Sequence, residues 1–158
     1  MPILVRSVLI LGTLLLLNAC AVQRGVIERP DWAAVPVWDS SGMSVTGHGV
    51  SDYSTNSNDE AQLAEENALK EARKLLAREL AKAYVEYMAT QKETVSEEEA
   101  AGKIVRQLGN IVARQRYYDD QRRVYFIQLY LPAHRVPEII HAVFGVQIKV
   151  GENGKLHA

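Results

Sequence analysis

Residues 59–90 run without a glycine or a proline, and Ala, Leu, Glu, Lys and Arg dominate them. These are the strongest helix formers, and Ser57 and Glu60 stand at capping-box spacing where the run begins. Ala61, Ala64, Ala68, Ala72, Leu75, Leu76, Leu80, Ala83 and Tyr87 recur at three- and four-residue intervals and form one apolar stripe. Glu66, Lys70, Arg73, Lys74 and Lys82 fall on the other side, which reads as a solvated face. The spacing predicts one long amphipathic helix. Its first half, lined by alanines, can approach a sheet closely.

The remaining elements are shorter. Residues 43–50 read MSVTGHGV, with Val45, Gly47 and Gly49 alternating against Ser44, Thr46, His48 and Val50, which predicts a strand. Glycines weaken a strand unless something packs closely on them, and a helix backbone is the expected partner. Gly47-His48-Gly49 is no dinucleotide fingerprint, because a third glycine is missing and no helix opens at once. Residues 51–58 read as a polar loop. Beyond the long helix, Ser96 and Glu99 repeat the capping spacing. A second helix is expected over 97–114, with Ala101, Ile104, Val105, Leu108, Ile111 and Val112 as its stripe. Gly109 inside it costs about 1 kcal/mol and marks either close packing or an early end.

Asp119-Asp120-Gln121-Arg122 separates Arg116-Tyr117-Tyr118 from RVYFIQLYL at 123–131, which reads as a hairpin closed by Pro132. A short helix over 134–144 follows, with Pro137 near its first turn, then a short strand over 146–150. Residues 151–158 are expected to be a frayed, flexible polar tail. The predicted fold is α+β, a small antiparallel sheet of three to four strands in the order strand-helix-helix-hairpin, with two helices on one face. The domain is placed at 43–150.

The chain's 158 residues, 47% hydrophobic and 23% charged, suit one small domain with flanking segments. A net charge of −1 gives no single-sign field to steer it onto nucleic acid. Arg6 is the only charge before Arg24, and residues 7–17 form an apolar run of 11. A spanning helix needs about 20, so this pattern reads as a secretory signal. Leu17-Asn18-Ala19-Cys20 resembles a lipobox, with cleavage between Ala19 and Cys20 and lipid attachment at the Cys20 thiol. Residues 1–19 are then a signal peptide and 20–42 a lipidated tether. Several acyl chains anchor stably where one does not. Ala21, not Asp, follows the cysteine, and the resemblance favours the outer membrane. Cys20 is the only cysteine, so the domain has no internal disulfide and rests on its own core. Trp32 and Trp38 in the tether are expected to dock on the domain edge. Their functional alternative is an interaction surface for the membrane interface or a neighbouring subunit.

A catalytic site is not visible. His48, His134, His141 and His157 do not stand at metal-ligand spacing with other ligands. There is no G-x-S-x-G and no phosphate loop. Glu97-Glu98-Glu99 suits the first turn of a helix, and Asp119-Asp120 suits a turn. Arg114, Arg116, Arg122 and Arg123 are interleaved with tyrosines, but neighbouring acids and the export signal favour a polar strand pair over nucleic acid. The expectation is a protein without enzyme activity, cofactor or metal.

Behind the lipobox stand Pro30-Asp31-Trp32, the Gly47-His48-Gly49 strand, Ala68-Leu69-Lys70-Glu71-Ala72-Arg73, and a closing strand before Arg135-Val136. In this order they resemble the twenty-kilodalton bacterial surface-lipoprotein family, which includes the flagellar lipoprotein FlgP and the first domain of FlgT. The resemblance covers about residues 30–139. It implies a small unit with helices laid on a sheet. It also implies an outer-membrane, self-associating structural component, a homo-oligomer among envelope proteins, without catalytic residues. Phe126-Ile127-Gln128-Leu129-Tyr130-Leu131 followed by Arg135-Val136 leans towards the flagellar members, which serve the basal body and motility. The other reading is a surface ligand-binding or adhesin-like module using Trp32 and Trp38 or the glycine strand.

Overall fold

The long helix forms where the spacing predicts it. In the computed structural model, which describes residues 30–33, 36–51, 57–151 and 154–158, helix α1 spans Ser57–Thr90. Strands β1 (Val37–Asp39) and β2 (Gly42–Val50) precede it, and helix α2 (Glu97–Ile104) follows, continued by a 3-10 turn at Val105–Gln107. The hairpin β3 (Ala113–Asp119) and β4 (Val124–Pro132) leads into helix α3 (Arg135–Phe144) and a small ribbon of β5 (Lys149–Val150) and β6 (Leu156–His157). The main sheet is antiparallel in the order β1-β2-β4-β3, with the helices packed on one face. The fold is α+β, as the pattern predicts.

The sheet and α1 meet as a wedge. At the tight end Gly49 lies under Ala64 and Ala68, and Gly47 under Ala68 and Ala72. A Cβ on Gly47 would stand 2.7 Å from the Ala72 Cα, and one on Gly49 would stand 2.9 Å from the Asn67 carbonyl carbon. Backbone therefore touches backbone, which only glycine permits. Towards the other end both elements enlarge, with Val45 and Met43 on β2 and Leu76, Leu80 and Tyr84 on α1. The widening gap holds Ile104 and Leu108 from the α2 region and Val136 and Ile140 from α3, all fully buried. Tyr84 stacks on Phe144 with ring centroids 4.0 Å apart.

Three expectations need correction. The second helix stops at Gln107 rather than 114, because Gly109 and Asn110 form a turn. Leu108 and Ile111 remain buried, since Ile111 N–H donates to the Leu108 carbonyl at 3.2 Å, so the apolar stripe outlives the helix. Gly109 has open space above it, so it marks the end and not close packing.

The segment read as tether up to residue 42 instead supplies the edge strand β1. Asp39 closes its turn by accepting from Ser41 N–H at 2.7 Å, Ser41 Oγ at 2.6 Å and Gly42 N–H at 3.2 Å. The tail read as frayed folds back. Gly151 N–H donates to the Lys155 carbonyl at 2.8 Å, and Leu156 is buried in the core. Ser96 caps α2 by accepting from Glu99 N–H at 3.4 Å, while the Glu99 carboxylate pairs with Lys103 at 2.6 Å and does not complete the box.

Gly47→Ala or Gly49→Ala should cost about 3 kcal/mol or more in urea unfolding, because the new methyl meets main chain that cannot yield locally. Gly102→Ala, in α2 with nothing near it, should be neutral or stabilising by up to about 1 kcal/mol. Equal effects at the two kinds of site would refute the wedge.

Candidate functional site

The sheet has two unlike faces. Met43, Val45, Gly47 and Gly49 pair in register with Leu131, Leu129, Ile127 and Tyr125 and face the helices. The alternate residues form an outer face, and the chain arrives on it. Ala33 N–H donates to the Pro30 carbonyl at 2.7 Å, closing the 3-10 turn Asp31–Ala33. The Trp32 carbonyl accepts from Gln128 Nε2 at 3.1 Å and, more weakly, from Thr46 Oγ1 at 3.5 Å. Ala33 packs with Val124 and Phe126 in a second small core, with Trp32 against it.

Around this docked turn the outer face stays open. Val37 is 53% exposed, Val50 54% and Tyr117 45%. Their register partners Ser44, Val124 and Phe126 place all three on this face. Val112, just ahead of β3, is the fourth large exposed hydrophobic among the described residues. Arg114 holds its guanidinium 5.1 Å over the Tyr130 ring, and His48 lies 6.5 Å from the Phe126 ring. Asp119 is buried and paired with Arg122 at 2.8 Å.

Trp38 lies opposite Met43 in register and packs on the helix side. The two tryptophans therefore sit on opposite faces of the sheet and form no common surface. Trp38 is covered by Gly154, where a Cβ would come 2.6 Å from its Cγ, and Gly154 has φ +71°. Its Nε1 is buried and has no hydrogen-bond acceptor among the described residues. Beside it runs a shallow groove of about 370 Å³ lined by Glu79, Lys82, Glu86, Tyr87 and Lys155. A broader groove of about 640 Å³ lies between α1 and α2, with Lys74 and Arg78 on one wall and Glu97 and Glu98 on the other.

Ala19 and Cys20 lie outside the described residues. Gly47 and Gly49 are filled by helix backbone and leave no ligand space between them and α1. Among the described residues no group of three or more His, Cys, Asp or Glu could hold a metal ion. Glu97, Glu98 and Glu99 occupy the first turn of α2. The basic run disperses. Arg116 reaches Glu65 at 3.4 Å, Arg122 reaches Asp119, and Arg123 reaches the buried Glu60 at 2.9 Å, while Arg114 stacks on Tyr130.

The exposed Val37, Val50 and Tyr117, spread around the docked turn on one face, have an uneven signal in the sequence. Val50 shares a face with Ser44 and Thr46 in the β2 alternation, so its exposure had a signal. Val37 had none, because its strand was not recognised. The Trp38 contact with Gly154 joins residues far apart in the chain and has no sequence signal.

Two turn aspartates make stability pH-dependent. Hydrogen bonds from the Ser41 hydroxyl and backbone hold the Asp39 carboxyl below its usual range, and those from Arg122 do the same for Asp119. A lowered folded pKa stabilises above the unfolded value of about 3.9 and is lost as pH falls through the folded one. The urea midpoint should fall on acidification below about pH 4, and Asp39→Asn with Asp119→Asn should flatten that slope. An unchanged slope would refute the assignment. Compared with protein-family models, curated proteins and solved structures, the chain matches none, and its function is read from its own residues.

Proposed function

We propose that this chain is a bacterial lipoprotein, anchored in the outer membrane through acylated Cys20, whose domain is a self-associating structural component. Its closing motifs, residues 126–131 and Arg135-Val136, lean towards a flagellar version of this reading, a component of the basal body. The observation that carries the reading is the position of Cys20. The only thiol in the chain follows an 11-residue apolar run, with Asn18 and the small Ala19 between, the spacing of a lipobox. The domain supports a structural role through where its charges go. Arg123 to Glu60 and Arg116 to Glu65 tie the hairpin to α1, and Arg122 to Asp119 closes the turn. Among the described residues the sheet ends on β3, with no strand at its outer edge, which leaves a place for a second copy to add.

One feature favours the ligand-binding alternative, the groove beside Trp38, whose indole N–H has no acceptor among the described residues. A small molecule that raises the melting temperature of wild type but not of Trp38→Phe would favour it.

Cys20→Ser should abolish incorporation of labelled palmitate and release the protein from the outer-membrane fraction. Inhibiting lipoprotein signal peptidase should accumulate the uncut precursor. The acyl-free domain should give a mass above the monomer in size exclusion with light scattering, and deletion should impair swimming. An unlabelled protein sinks the anchor. A strict monomer at high concentration together with normal motility sinks the flagellar scaffold.

A further inference from the structure

We infer that the outer face of the sheet lies against the phospholipid surface that holds the Cys20 anchor, with Val37, Val50 and Tyr117 at the interface. This rests on the lipid-anchored reading above. The first argument is reach. The chain is fixed to the outer face at Pro30–Ala33 by the Trp32 carbonyl and the burial of Ala33. From Cys20 to Pro30 it can extend at most about 35 Å. A domain of this length has a radius of gyration near 14 Å, and so is roughly 35 Å across. To turn the solvent face of α1 to the bilayer, the linking residues would have to stretch fully around the domain. Placing the outer face towards the bilayer asks nothing of them.

The second argument is the chemistry of the two faces. Three of the four large exposed hydrophobics among the described residues lie on the outer face. Tyrosine suits a bilayer interface, where its ring meets acyl chains and its hydroxyl meets headgroups. Between them Thr46 and Gln128 hold the docked turn and the Tyr130 hydroxyl donates to the Ser41 carbonyl, Ser44 and the exposed His48 complete the row on β2, and Arg114 adds a cation for anionic headgroups. The outer face also carries two exposed acids, Asp31 in the docked turn and Asp39 two residues from Val37 on β1. The opposite surface exposes Glu66, Lys70, Lys74, Lys82 and Glu86, and stripping water from so many charges is costly.

The native tryptophans report the two faces separately. The mature chain from Cys20 can be coupled through its sole thiol to a maleimide lipid in phosphatidylethanolamine–phosphatidylglycerol vesicles. This sets the anchor chemically, so a failure of cellular lipidation is distinguishable from a failure of the orientation. With brominated acyl chains, Trp32 in the Trp38→Phe variant should be quenched at least about twofold more than Trp38 in the Trp32→Phe variant. Adding Val50→Asp and Tyr117→Asp should bring Trp32 down to the Trp38 level. Both sites are exposed, and Val37→Asp serves as a second variant if circular dichroism shows the double change disturbs folding. Equal quenching of the two tryptophans overturns the proposal. So does quenching of Trp32 that the aspartates leave unchanged, since the linker alone would then account for it.

Discussion

The contact of two glycines with a helix backbone governs the rest of the molecule. Gly47 and Gly49 let α1 sit directly on β2, and the helix answers with Ala64, Ala68 and Ala72. Such small residues bury little apolar area, so this end is held by fit more than by the hydrophobic effect. Its value is geometric. It fixes the tilt of α1, and the tilt opens the far end to the width that Leu76, Leu80 and Tyr84 fill together with α2 and α3. The long helix needs no glycine or proline of its own because the strand beneath supplies the clearance.

The ion pairs hold the same geometry from outside. Glu60 is buried at the start of α1 and meets Arg123, while Glu65 one turn later meets Arg116. The half-exposed arginines limit the stabilisation of each pair, but together they set the hairpin against the tight end of the wedge. Breaking the Glu60 pair leaves a buried carboxylate without its partner, which is the costlier half of such an interaction.

Much of this was legible in the residues. Period 2 in 43–50 and 123–131 and the three- and four-residue period in 59–90 each gave one answer, and the glycines in the first strand called for a close helix. What failed has identifiable causes. Asp39-Ser40-Ser41-Gly42 is a hairpin turn, but with only Val37 and Trp38 before it the strand was too short to show a period. Leu108 and Ile111 keep helical spacing through a turn, so the stripe concealed the helix end. The C-terminal ribbon depends on Gly154 under Trp38, a contact across more than a hundred residues. The lipobox remains a reading of residues 17–20 and lies outside the described structure, whereas both tryptophans could be placed, one on each face.

The way the chain joins the sheet also grades its resistance to pulling. Tension arriving at Pro30 would first break the bonds to the Trp32 carbonyl. It would next peel β1, which is paired with β2 over only three residue positions. Behind these stands β2, paired with β4 over nine positions and clamped by α1. Under tension the chain would thus yield at a short, re-formable segment while its core stayed folded, as a mechanical fuse does.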